Sequence, residues 1–132
     1  MTRKSAQTNI VFDAASTIRN AIDATPLSRK NIHDLVPDIH IGRNQLQRVF
    51  KEITGMTVKH YRLQKRMEAA RDILMTGISV KQVASKCGYK KQNNFTRDYK
   101  SVFLMTPLEW VRQHYANDIT VIQIGTAKKV QF

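Results

Sequence analysis

Asn44, Gln47, Arg48 and Lys51 stand at i, i+3, i+4 and i+7, so a helix containing them presents all four on one stripe. Leu46, Val49 and Phe50 fall opposite that stripe. Gln92, Thr96 and Lys100 repeat the arrangement, with Asn93 and Arg97 beside them. Side chains of these types recognise by hydrogen bonding and charge. The planar fork of Arg matches the two major-groove acceptors of guanine, and Asn or Gln matches the donor–acceptor pair of adenine. Lys clamps phosphate without reading sequence. Covalent or metal chemistry finds no comparable foothold. The four histidines, His33, His40, His60 and His114, show no metal-ligand spacing, and no metalloprotease, P-loop or dinucleotide motif is present. Few carboxylates are available for acid–base work, so neither an enzyme nor a cofactor is expected.

These stripes need helices to hold them, and helical periodicity runs to about Tyr115. Ile10, Val11, Ala14, Ala15, Ile18, Ala21 and Ile22 predict a first helix, capped by Asn9 or Thr8. A second is expected from about Ser28 to Val36, stopped by Pro37, with a turn over Asp38 to Ile41. A third runs from Arg43 to Thr54, with Leu46, Val49, Phe50 and Ile53 inward and Gly55 as its C-terminal glycine. Thr57 opens a fourth from about Val58 to Thr76, on the order of 28 Å long at 1.5 Å per residue. Ser79 and Gln82 form a capping box for a fifth, with Val83 and Ala84 inward and Gly88 breaking it. A sixth covers about Lys91 to Phe103, with Phe95, Tyr99 and Val102 inward. Thr106, Pro107 and Glu109 start a seventh, which carries Trp110. Phe50, Phe95, Tyr99 and Trp110 are placed for packing rather than base stacking. From Asn117 the chain turns β-prone through Ile119, Val121, Ile122 and Ile124, and is read as a packed or frayed terminus, with a dimerising strand as the sharper alternative.

The organisation is an internal repeat. Ile32, Leu35 and Val36 match Val80, Val83 and Ala84. After one added residue the match continues at a shift of 49: Leu46 with Phe95, Arg48 with Arg97, Phe50 with Tyr99, Lys51 with Lys100 and Met56 with Met105. Each copy is a short helix, a turn and a longer helix bearing exposed polar residues, which is a helix-turn-helix layout. The expected fold is all-α, with seven helices. Residues 1–56 form a first unit, 57–76 a linker helix, 77–116 a second unit and 117–132 a tail. A connector of this length suits two readers about one helical turn apart on duplex DNA, ~34 Å.

Bulk composition agrees. The 132 residues carry 22 Lys and Arg against 10 Asp and Glu, a formal net charge of +12. Such an excess fits a polyanionic partner. Hydrophobic residues make up 42%, enough to form a core. No apolar run approaches the ~20 residues needed to span a membrane, no signal peptide is evident, and the single Cys87 allows no internal disulfide. A cytoplasmic location is expected. Cys87 is expected to be a small buried thiol, and a repair transferase using it as acceptor ranks far behind.

The chain resembles the AraC/XylS family of bacterial transcription regulators from about Ile10 to Tyr115. The second unit carries the resemblance best: Ile78, Ser79, Val80, Val83, Ala84, Cys87, Gly88 and Tyr89, then Gln92, Phe95, Thr96, Arg97, Tyr99 and Lys100, then Met105, Thr106, Pro107 and Trp110. The first unit matches through Leu46, Arg48, Phe50, Lys51, Thr54 and Gly55, and the linker through Arg66, Met67, Glu68, Ala70, Arg71 and Leu74. The resemblance implies that the third and sixth helices read DNA, with the fourth as rigid connector. Asn44, Gln47 and Arg48 would face bases in the first unit, and Gln92, Asn93, Asn94 and Arg97 in the second. Arg43, Lys51, Lys90, Lys91 and Lys100 would hold phosphates. The first unit departs from the pattern at Pro37, at His40 in place of a turn glycine, and at Gly42 in place of a capping hydroxyl. The chain is similar to the short stand-alone members and equally to a domain cut from a longer regulator, and the resemblance implies a nucleoid-associated monomer on double-stranded DNA and a contact with RNA polymerase. A non-specific architectural or protein-interaction module is the alternative.

Overall fold

The computed structural model describes residues 3–115, with side chains from residue 9 onward. The β-prone tail expected over 117–132 lies outside the described residues. Seven helices and no strand occur among the described residues: α1 (Arg3–Ala24), α2 (Ile32–Leu35), α3 (Arg43–Thr54), α4 (Val58–Leu74), α5 (Val80–Lys86), α6 (Gln92–Phe103) and α7 (residues 107–115). Two compact units result, Met1–Ala69 and Ala70–Phe132, with the boundary inside α4.

In the first unit, Val11, Ala15, Ile18 and Ile22 recur every three or four residues and form the buried stripe of α1. Leu46, Val49 and Phe50 of α3 and Val58 and Tyr61 of α4 complete that core. Phe50 is fully buried and meets Tyr61 edge-on, ring centroids 5.3 Å apart. Truncating such a ring costs about 3–5 kcal/mol. The Tyr61 hydroxyl donates to Asp23 Oδ1 at 2.5 Å, tying α4 to the end of α1. Burial, then Asp23, holds that phenol protonated far above its ordinary range.

The bounds of α1, α2 and α4 differ from the sequence expectation, and α6 starts at Gln92, one residue later than expected. α1 begins at Arg3, upstream of the anticipated caps at Thr8 or Asn9. α2 is four residues long instead of running from Ser28 to Val36. Its cap is Asn31, whose side-chain oxygen accepts from the Asp34 N–H at 2.8 Å, and the Ser28 hydroxyl instead accepts from Lys30 N–H. The helix stops at Leu35 because Val36 precedes Pro37, which disfavours helical geometry, and Val36 sits at φ −134°. α4 ends at Leu74, two residues earlier than expected, and Gly77 lies in a turn at φ 89°.

In the second unit the Ser79–Gln82 capping box forms in both directions. Val83, Ala84, Cys87, Phe95 and Tyr99 are buried. Gly88 adopts φ 82°, which lets Tyr89 N–H reach back to Ala84 carbonyl at 3.0 Å and close the turn tightly. Aromatic contacts run Tyr89–Phe95–Tyr99–Phe103, and the Arg71 guanidinium lies 4.6 Å from the Phe103 ring centroid. Thr106 caps α7 by accepting from Glu109 N–H at 3.1 Å, with buried Pro107 at its first position. Trp110 is half-buried and stacks on His114.

Candidate nucleic-acid interface

Two 12-residue helices, α3 and α6, bear the candidate residues. Both bury one apolar face, Leu46, Val49 and Phe50 in α3, Phe95 and Tyr99 in α6. The polar face is thereby held outward on a rigid backing. Arg43, Asn44, Arg48 and Lys51 of α3 are exposed, as are Gln92, Asn93, Asn94, Arg97 and Lys100 of α6 and Lys90 and Lys91 just before it.

The N-termini of these helices share a second property. Gly42 and Lys91 occupy their caps, and neither makes a side-chain cap hydrogen bond. The caps of α2, α5 and α7, by contrast, are closed by Asn31, Ser79 and Thr106. Neither α3 nor α6 has an acidic residue in its first turn. Their leading N–H groups and positive dipole ends are therefore open to an anion. Asn93 and Asn94 lie inside the first turn of α6 rather than at its cap, which leaves their amides for outside partners.

Gln47 behaves differently from its stripe neighbours. It is half-buried, and its Oε1 accepts from the Val58 N–H at 3.2 Å. The side chain thus caps α4 from α3. The oxygen keeps its second lone pair and the amide its N–H donors, so a bidentate adenine contact would have to share that oxygen with the cap.

Arg97 has an orienting system that spacing alone did not reveal. Its Nε lies 3.5 Å from Asp98 Oδ1, and the other carboxylate oxygen of Asp98 accepts from the Tyr89 hydroxyl at 2.6 Å. An ion pair with an arginine this exposed adds little stability. Its effect is positional, since Tyr89 anchors the carboxylate beside the guanidinium. The adjacency of Asp98 to Arg97, nine residues after Tyr89, was the available signal.

In the first unit Arg62 donates to Ser28 carbonyl at 2.9 Å and ties α4 to the segment before α2. Burial, then neighbouring Arg66 and Arg29, lowers the pKa of that guanidinium. Cys87 is fully buried before the turn glycine. Among the described residues no group of three or more His, Cys, Asp or Glu is placed to hold a metal ion.

Residues 35–113 match the model of a family described as a helix-turn-helix domain. The chain is 31% identical over 77 residues to the HTH-type transcriptional regulator ArgR of Pseudomonas aeruginosa, covering 58% of this chain and 23% of ArgR. It is 28% identical over 101 residues to the transposon Tn10 TetD protein of Escherichia coli, covering 76% of this chain and 70% of TetD. This chain therefore spans about a quarter of ArgR and most of TetD. A solved structure of a probable AraC family transcriptional regulator from Rhodopseudomonas palustris aligns with a TM-score of 0.65 at 22% identity, covering 76% of this chain and 96% of that one. At that identity the likeness is one of fold.

Proposed function

Since this chain belongs to the AraC/XylS family of helix-turn-helix proteins, we propose that it is a sequence-specific transcription regulator that reads two adjacent major-groove segments of duplex DNA, one with α3 and one with α6. The observation that carries this reading is the doubled design of those helices. Each has an apolar backing, exposed Asn and Arg with a Gln on the same polar face, and an N-terminus without a side-chain cap. An α-helix fills the major groove, and its leading N–H groups suit a flanking phosphate.

The roles divide by chemistry. Asn44, Arg48, Gln92, Asn93, Asn94 and Arg97 contact bases. Gln47 contributes through its amide donors while holding α4. Arg43, Lys51, Lys90, Lys91 and Lys100 hold phosphates. The protein acts as a binder without catalysis, as a monomer on DNA, contacting RNA polymerase. No helix among the described residues is long and apolar enough to cross a membrane, and the proposed workplace is the bacterial nucleoid.

The net charge of +12 favours a second reading, non-specific architectural binding. The ratio of affinities for a selected duplex and a scrambled one, taken across a salt series, separates the two. A specific regulator should give a ratio of about a thousandfold or more at near-physiological salt. A ratio near one at every salt would leave only the architectural reading.

A further inference from the structure

The two turns of the repeat are built differently, and a concavity lies beside the first. In the second unit Gly88 takes a left-handed φ and α5 buries Val83 and Ala84. At the matching place in the first unit stands His40, and among the described residues Leu104 is the one non-glycine with positive φ. His40 therefore cannot close the turn as Gly88 does. From Val36 to Gly42 no residue takes a left-handed φ, and α2 has no fully buried residue. The concavity measures about 330 Å³, at the lower end of the ~300–1,000 Å³ typical of ligand sites.

Its lining has two chemistries. Ile18, Ile32, Ile39, Ile41 and Leu46 make an apolar floor, and the exposed imidazoles of His33 and His40 stand at the rim with ring centroids 6.3 Å apart. Among the described residues no carboxylate belongs to the lining. Asp34 and Asp38, on the same segment, are exposed outside it. Floor and rim together fit an amphipathic guest. Its hydrocarbon body would cover the isoleucines, and its anionic head would accept one N–H from each imidazole at ~2.7–2.9 Å. The net charge of +12 selects an anion over a cation.

We propose that this cavity is an effector site for a small monocarboxylate with an apolar body, and that its occupancy adjusts the seat of α3. Leu46 connects the two. It forms part of the floor, and it lies on α3 directly before Gln47 and Arg48. The regulatory half of the proposal rests on the DNA reading given above. By linkage the ligand and the duplex must alter each other's affinity by the same factor, typically about 5–150-fold.

Titration of the full chain with cyclohexanecarboxylate, followed amide by amide in NMR, is the test. The expected result is saturable shifts at Ile18 and across residues 32–46, with a Kd on the order of 1 mM or tighter. Cyclohexylmethanol, which lacks the charge, should bind at least about threefold more weakly, as should the double variant His33→Gln, His40→Gln. Both rim side chains are exposed, so that variant should fold. Ile39→Phe, which fills the floor, should abolish binding. Shifts that never saturate, equal binding of acid and alcohol, or wild-type binding by the double variant would each overturn the site. Duplex affinity is measured separately, with and without the carboxylate. Tight duplex binding that ignores a bound ligand overturns the effector role alone. Saturable ligand binding without any duplex binding overturns the DNA reading and leaves the cavity assignment standing.

Discussion

Gly55 and Leu104 close α3 and α6 in the same way: each has a left-handed φ, 77° and 61°, and each donates its N–H to a lysine carbonyl at 2.8 Å. The lysines, Lys51 and Lys100, are themselves repeat partners. A glycine takes this conformation without penalty, whereas a leucine pays roughly 1–2 kcal/mol. Leu104 is also 84% exposed, so packing returns nothing for that cost. Leu104→Gly should therefore raise stability by about 0.5 kcal/mol, after the extra chain entropy of glycine is subtracted. Gly55→Ala should lower it by about 1 kcal/mol through backbone strain alone, because a methyl there meets nothing within 4 Å among the described residues. Urea unfolding of both variants checks the pair. A stabilising Gly55→Ala would show that the helix end is not held as described.

Tyr99 is fully buried, and its hydroxyl meets no hydrogen-bond partner among the described residues. Tyr99→Phe should gain about 1 kcal/mol at neutral pH by removing an unsatisfied polar group. Burial, only partly offset by Arg71, pushes this phenol up to about 12 from 10.0. The unfolded chain thus loses its proton near pH 10 while the folded chain keeps it, so the unfolded state binds fewer protons there. Stability is fully present below pH 10 and falls as pH rises toward 12. Tyr61 adds a loss of the same sign. The Phe variant should show a shallower alkaline decline, read by chemical denaturation from pH 9 to about 11.5. An equally steep decline would contradict this account of Tyr99.

Gln47 serves two helices, and its two functions can be separated. Gln47→Ala removes the cap on Val58 N–H and should cost about 1 kcal/mol of stability. Gln47→Glu keeps the acceptor and places a negative charge at the start of α4, so stability should hold. Duplex binding should nevertheless weaken in the Glu variant, because the amide donors are gone and a carboxylate faces the phosphates. Thermal unfolding and DNA titration of the same samples read both effects. Equal loss of stability in the two variants would remove the capping role.

Arg97 and Lys100 lie on one face of α6 and should fail differently. Arg97→Ala should cost about 1–3 kcal/mol on the preferred duplex and relax preference at one half-site. Lys100→Ala should weaken all duplexes alike and flatten the salt slope by about one unit. Asp98→Asn should give a smaller, base-selective loss, because the guanidinium loses its oriented partner. Uniform losses for Arg97→Ala would reassign it to the backbone.

How much of this was legible in the residues depends on where the governing interactions lie. The bounds of α3 were read correctly because its signals are local: an amphipathic run followed by Gly55. The capping box of α5 and the Thr106 cap of α7 were readable for the same reason, since each lies within four residues. α2 was overextended because Ser28 and Asn31 are both good caps, and which one acts depends on how the segment meets α1. The double duty of Gln47 spans 11 positions, and helical spacing placed it on the exposed stripe without showing that Val58 N–H lies within reach. The Tyr89–Asp98–Arg97 arrangement joins a turn to a helix, so periodicity within α6 did not reveal it. Leu104 escaped notice because a leucine after a helix reads as an ordinary apolar residue until its φ is known.

The central claim is that both helices read sequence. Selection from a random duplex library at near-physiological salt, with the wild-type chain, tests it most directly. Two short conserved blocks at one fixed separation are expected, with the block assigned to α6 degrading in Arg97→Ala and the other in Arg48→Ala. Salt-sensitive binding that enriches no sequence would contradict it.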